Sequence, residues 1–195
     1  EELTAIMSEA HAWKKKVAAH SHGDVAARLA IDAGVDSIEH GSFLTEQTLQ
    51  LMKSKGTYLV PTRLAVYWVN KQADTFPPAI AEKARAAYAE HEKMFRSALK
   101  IGVPIAFGTD SGVSPHGMNA KEFALLVEIG MTPSAALISG TRESAKLLGI
   151  DAEVGTLEAG KIADVVAVPG NVLENIAATE APLFVMKHGQ VVKQP

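Results

Sequence analysis

Between residues 16 and 149 short apolar runs alternate with helical stretches, and this alternation constrains the fold more than any other feature of the chain. KVAAH (16–20), VDSIEHG (35–41), TYLVPT (57–62) and VPIAFGTDSG (103–112) are strand-like. GDVAARLAIDAG follows the first run, with Val25, Leu29 and Ile31–Ala33 giving a helical stripe that Gly34 ends. Thr45 is placed to cap a helix through TEQTLQLMKSKG, with Glu46 in its first turn and Gly56 as the stop. A long Ala-, Glu- and Lys-rich helix is expected from Pro77-Pro78 to about Gly102. Thr132-Pro133 has the order of a cap followed by proline at the first helical position, and Thr141 can cap a last short helix that Gly149 ends. Strand followed by helix, four times over, is the pattern of a parallel sheet in an α/β fold.

The pattern changes near residue 150. VGTLEAGKIADVVAVPGN has glycine-punctuated turns and short Val/Ile runs without helical period, and PLFVMKHGQVVKQ divides into two β runs at His188-Gly189, a hairpin candidate. Residues 1–150 are therefore expected to form the α/β part and residues 151–195 a small β appendage.

With 195 residues and 47% hydrophobic against 21% charged residues, the chain can bury a sizeable core. A net charge of −3 with no basic block gives no reason to expect a nucleic acid or an anionic membrane as partner, and no apolar stretch is long enough to span a bilayer. Cysteine is absent, which excludes disulfides, thiolate metal sites and a cysteine nucleophile, so any metal must be held by His and carboxylate. The opening EELTAIMSEAHAWKKK is charged and amphipathic, with Leu3, Ile6, Met7 and Ala10 on one helical face, and is no signal peptide. It reads as the interior of a helix, from which we expect the chain to be a portion of a longer protein; the compartment is left open.

Polar residues sit where the apolar runs end. His20 closes KVAAH, His40 closes DSIEH and Asp110 closes PIAFGTD, each with a glycine within three residues. A histidine at one strand end is ordinarily a polar terminus. Three His/Asp residues at equivalent strand ends are a less ordinary coincidence, because the C-terminal ends of barrel strands are where active sites are built. Imidazole and carboxylate are also the ligand types that suit a catalytic zinc.

The segments VAAHSHG, GVDSIEHG, IAFGTDSG and GTLEAGKIADVVAV together resemble the metal-dependent amidohydrolase superfamily, in particular the imidazolonepropionase-like branch that includes Xaa-Pro and Xaa-Arg/Lys dipeptidases. The resemblance spans essentially the whole chain. It implies the second half, strands 5 to 8, of a TIM-type (β/α)8 barrel, with residues 151–195 as part of the small β-sandwich domain. It implies a divalent metal, usually zinc, one or two ions in the complete site. The family's ligands are an HxH on strand 1, a carboxylated Lys on strand 4, a His on each of strands 5 and 6, and an Asp on strand 8. By motif, His20, His40 and Asp110 correspond to the last three, with Asp110 also the general base and then the general acid. The HxH of strand 1 and the Lys of strand 4 have no counterpart; Lys14, Lys15 and Lys16 are expected to be solvated helix-end charge.

The implied reaction is hydrolysis of a C–N amide bond in a dipeptide or N-acyl amino acid by metal-activated water. Two alternatives stay open, a cyclic-amide hydrolase and a catalytically incomplete assembly piece. Arg28, eight residues past His20, matches a family arginine that binds the substrate carboxylate, or is a surface residue of an amphipathic helix. His116, in SPHG, matches a loop that faces substrate, while Ser114 stands where relatives often carry an aromatic residue. His22 is expected on the substrate side or behind the ligands, since Gly23-Asp24 turns the chain at once. Tyr67 and Trp68 are expected in the loop after the third run, as pocket wall or plain packing. His11, His91 and His188 are expected at the surface, and Asp164 is expected to fix the appendage. The expected partners are a small peptide-like substrate and a cover for the open edges of the half-barrel, supplied by a complementing N-terminal half or a second copy.

Overall fold

The computed structural model describes residues 1–195. Its elements alternate as α1 (Glu2–Ala12), β1 (Ala18–Gly23), α2 (Asp24–Ala33), β2 (Ser37–Phe43), α3 (Glu46–Lys55), β3 (Tyr58–Val60), α4 (Arg63–Lys71) and α5 (Pro78–Ile101). Three further helices follow, α6 (Lys121–Glu128), α7 (Pro133–Ile138) and α8 (Ser144–Leu148), and then the short strands β4 (Val165–Ala167), β5 (Phe184–Lys187) and β6 (Gln190–Lys193). No helix is long and apolar enough to cross a membrane.

β1, β2 and β3 form a parallel sheet in that order, with Ala18 paired to Ser37 and Ser37 to Tyr58. The fourth apolar run takes its expected place beside β3 but makes only one parallel bridge, Leu59 to Ile105. Leu59 donates its N–H to the Pro104 carbonyl (2.9 Å) and accepts from the Ala106 N–H (3.0 Å). Pro104 has no N–H to extend the ladder. Beyond it, a Cβ on Gly108 would stand 2.4 Å from Val60 Cγ1, so only glycine lets this backbone pass so close to β3.

The caps follow from the sequence. Thr45 Oγ1 accepts from Thr48 N–H at the start of α3, Thr132 Oγ1 accepts from Ala135 N–H at the start of α7, and proline opens α5. Gly34, Gly56, Gly102 and Gly149 end four helices in the left-handed conformation. Thr141 does not cap a helix. It lies in a π-helical turn, Ser139–Glu143, that carries α7 into α8, and its hydroxyl donates to the Leu137 carbonyl (2.8 Å). The stretch after β3 is a helix, α4, where the sequence suggested a loop.

The core lies between the parallel sheet and the helices over it. Ile38, Leu59 and Ile105 from the strands meet Ile31 of α2, Leu49 and Met52 of α3, Phe95 and Ala98 of α5, and Leu126 of α6. Each large apolar side chain buried this way contributes roughly 1.5–3 kcal/mol. α2 and α1 bury less than their periodicity suggests: Val25, Leu29, Leu3 and Ile6 are exposed, and α1 inserts only Met7 into the core.

β4, β5 and β6 form a separate antiparallel sheet. Its hairpin turns at His188 and Gly189, φ 52° and 75°, as a two-residue loop of the type that matches strand twist. Asp164 Oδ1 accepts from the His188 N–H at 2.7 Å, so this aspartate does fix the appendage. Lys161 of the GTLEAGK segment donates to the Asp151 carbonyl and to Thr156 Oγ1, a local fastening of the preceding turn.

Candidate metal centre

β1 and β2 place three imidazoles side by side. His20 and His22, two apart, share a face of β1. In the parallel register His20 lies opposite Glu39, so simple alternation would send the side chain of the next residue, His40, to the other face. His40 instead has φ 71° and is followed by Gly41 at φ 65°, and this left-handed kink within β2 breaks the alternation. The ring centroids of His20 and His40 are 4.6 Å apart, those of His22 and His40 4.8 Å, and those of His20 and His22 5.2 Å. β1 runs past His20 to Gly23 and β2 past His40 to Phe43, so these two histidines lie within their strands and do not end them.

One ring nitrogen of each histidine lies within 4.8 Å of the others. A tetrahedral ion with bonds of about 2.1 Å to nitrogen holds its ligand atoms about 3.4 Å apart, so small rotations about χ would bring the three into place. The hydrogen bonds suit this use. His22 Nδ1 meets Ser42 Oγ at 2.9 Å and His40 Nδ1 meets Thr62 Oγ1 at 2.6 Å, leaving each Nε2 without a protein partner. Burial pushes the His40 pKa down to about 4, aided by the neighbouring His22 and His20 and opposed by Asp110. Burial, then His20, lowers His22 as well. Neutral imidazole is the form that offers a lone pair. An all-nitrogen donor set of this size fits zinc or a similar divalent ion.

Asp110, at φ 50°, is exposed and lies outside this ligand-distance group; its charge raises the pKa of both His22 and His40. Glu39 is a further acid beside the cluster. It sits on β2 opposite His20, accepts from Ser37 Oγ (2.6 Å), and is raised by burial and by Asp110. Alternation from His40 would put Glu39 on the far face, so only the register opposite His20 reveals it.

His116 is exposed and its Nδ1 lies 3.3 Å from Ser111 Oγ. Ser114, two residues before it, is buried with its hydroxyl unpartnered. Arg28 sits on the exposed side of α2, where its charge acts on Asp24; no hydrogen bond or ion pair links it to the histidines. Tyr67 and Trp68 are half-buried on α4, with Lys121 Nζ 5.6 Å from the Tyr67 ring centre. His11 and His188 are exposed as expected, but His91 is fully buried. It lies on the stripe Ala81, Ala84, Tyr88, His91, Phe95, Ala98 of α5, whose 3,4 spacing marks the buried face.

The Amidohydrolase family model matches residues 1–194. The crystal structure of a Xaa-Pro dipeptidase with bound methionine in its active site superposes with a TM-score of 0.94 at 43% identity, covering 99% of this chain and 48% of that one. Ochratoxinase of Aspergillus niger is 36% identical over 201 residues, 100% of this chain and 42% of its own length. Imidazolonepropionase of Symbiobacterium thermophilum is 30% identical over 143 residues, 72% of this chain and 29% of its own. The chain thus spans less than half the length of these relatives.

Proposed function

The chain belongs to the amidohydrolase family, and from that premise we propose that it carries the metal-holding half of a C–N hydrolase acting on dipeptides or N-acyl amino acids. The observation that supports the reading is the convergence of His20, His22 and His40 on two adjacent parallel strands, one ring nitrogen of each within 4.8 Å of the others. His20 and His40 hold a divalent ion, zinc by the chemistry of the donors, with His22 beside them on the substrate side. A bound divalent ion would bring the pKa of a coordinated water toward neutrality and polarise the scissile carbonyl. Asp110 accepts the proton of the attacking water and returns it to the leaving nitrogen. Its exposed position, with its field on His22 and His40, supports that role. Arg28 and His116 bind the substrate, Arg28 through the carboxylate.

The parallel sheet is read as strands 5 to 8 of a (β/α)8 barrel, counting the run through Ile105, and residues 151–195 as part of a second, small β domain. The free edge of β1 is where the other half of the barrel packs, on the same longer chain or on a second copy, and Leu3, Ile6, Val25 and Leu29 on α1 and α2 are apolar residues left exposed. In the intact protein Asp110→Asn is expected to lower kcat by at least about a hundredfold with the melting temperature unchanged; near-wild-type turnover would sink the assignment.

The second reading keeps the fold and takes a cyclic amide as substrate. The likeness to imidazolonepropionase favours it. Turnover of Xaa-Pro, Xaa-Arg and Xaa-Lys dipeptides measured beside that of cyclic imides separates the two.

A further inference from the structure

We propose that Thr62 is a positioning residue of the histidine cluster: its hydroxyl holds His40 in the tautomer that presents Nε2 to the metal. The proposal rests on the reading of the cluster as a metal centre and adds how one ligand is aimed.

The directions are assigned from the groups whose role is fixed, a carbonyl that only accepts and a guanidinium that only donates. Thr62 Oγ1 lies 2.7 Å from the Pro61 carbonyl oxygen, which can only accept, so the hydroxyl proton points there. Toward His40 Nδ1, at 2.6 Å, the same oxygen can then only accept, and Nδ1 must carry the proton. The lone pair is left on Nε2. The Pro61 carbonyl is itself held from the other side by His91, whose Nε2 lies 2.8 Å away and must donate. His91 Nδ1 then accepts from the guanidinium of Arg63 (3.5 Å), which can only donate. Arg63 is buried, donates to the Tyr88 carbonyl (2.8 Å) and stacks its guanidinium over the Tyr88 ring at 3.7 Å.

The backbone explains why the Thr62 hydroxyl is free for this use. Thr62 is the residue that precedes the first turn of α4, a position at which a threonine ordinarily caps its own helix. Here it makes no such bond. Glu122, fully buried on α6, caps α4 instead: one carboxyl oxygen accepts from Arg63 N–H (2.8 Å) and the other from Leu64 N–H (2.5 Å). Thr62 is also held at φ 48°, a conformation that a β-branched residue rarely adopts, and the surrounding bonds fix it there. A strained threonine relieved of capping and aimed at a ligand histidine is an arrangement with a purpose beyond packing. Metal-bound histidines characteristically donate their second N–H to such a partner.

The test uses the intact protein and the variants Thr62→Val and Thr62→Ser. Valine keeps the β-branch and hence the backbone strain, and serine keeps the hydroxyl. In metal-free protein with ¹⁵N-labelled histidine, His40 is expected to carry its proton on Nδ1 in wild type and Thr62→Ser, and to lose that preference in Thr62→Val. Zinc affinity, read by competition with a chelator, is expected to fall 10- to 100-fold in Thr62→Val and to recover in Thr62→Ser. A His40 tautomer that is Nε2–H in wild type, or that Thr62→Val does not change, overturns the proposal. So does zinc affinity within twofold of wild type in Thr62→Val. Failure of wild type to bind zinc while the tautomer responds to Thr62→Val overturns the metal reading and leaves the orienting role of Thr62 standing. Loss of near-UV circular dichroism in Thr62→Val with retention in Thr62→Ser assigns the hydroxyl to folding and counts against the proposal.

Discussion

The two sheets of this protein are held together by different means. The parallel sheet is short, and β3 spans only Tyr58–Val60, yet Leu59 at its centre has no solvent exposure and the adjoining polar groups form a directed chain through His40, Thr62, Pro61 and His91. The antiparallel sheet has all four residues of β6 exposed and relies on a tight turn and one aspartate. Where burial is deep, position is set by packing and by hydrogen bonds between residues far apart in sequence. Where it is shallow, position is set by neighbours in the chain. The candidate metal centre lies on the first sheet.

Substitutions should reproduce that contrast. Leu59→Ala should show the largest effect, roughly 2–5 kcal/mol from lost transfer and cavity energy, measured by urea unfolding; a loss below 1 kcal/mol would mean that β3 is not the centre of the core. Glu122→Gln should cost about 1–3 kcal/mol, because an amide presents one N–H₂ to a backbone N–H where the carboxyl group presented two oxygens. Burial pushes the Glu122 pKa up to about 8, against the backbone N–H groups and the Arg63 charge that favour ionisation. The unfolded chain ionises it in the ordinary carboxylate range near 4.3. The stability this group adds is therefore fully present below that range and lost as the pH rises to about 8. The gap between wild type and Glu122→Gln should accordingly narrow over that interval, and a gap that widens with pH would contradict the assigned shift.

Gly108→Ala should cost about 1–3 kcal/mol through overpacking against Val60, with the Asp110 segment displaced; unchanged stability would show that the chain passes β3 less closely. On the second sheet Asp164→Ala should cost only about 1 kcal/mol, and Val192→Thr on exposed β6 less than about 0.5 kcal/mol. Thermal melts of the last two that match the losses at Leu59 would erase the distinction between the sheets.

The order of strands and helices was legible because period and punctuation were clear: Thr45, Gly56, Thr132 and Gly149 act where the sequence put them. His20 and His40 were legible as partners only through the resemblance, which implies both as ligands. What escaped was non-local or depended on a backbone kink. Nothing in IEHG announces that His40 turns to the face of His20, since positive φ at a histidine is set by the tertiary environment. His22 was legible as a face-mate of His20, but its place within 4.8 Å of His40 depends on the register between β1 and β2. The Glu122–α4 contact joins residues 58 and 59 apart and leaves no local trace. His91, by contrast, is readable from the α5 stripe, whose 3,4 spacing places it on the buried face although it lies away from any strand end. Of the stripe expected on α2, Ile31 is buried while Val25 and Leu29 are exposed, and the buried face runs through Ala27, Ala30 and Ile31.

The cap that α6 supplies to α4 has a kinetic side. The first turn of α4 lacks its own side-chain cap until a helix some sixty residues downstream has arrived, and closing that loop carries an entropic cost before any contact repays it. The Thr62 end of the histidine cluster should therefore be completed late in folding, after β1 and β2 have paired. Pulsed hydrogen exchange during refolding gives the order directly: the Arg63 and Leu64 amides should become protected after those of Ile38 and Glu39, and simultaneous protection would show that α4 starts unaided.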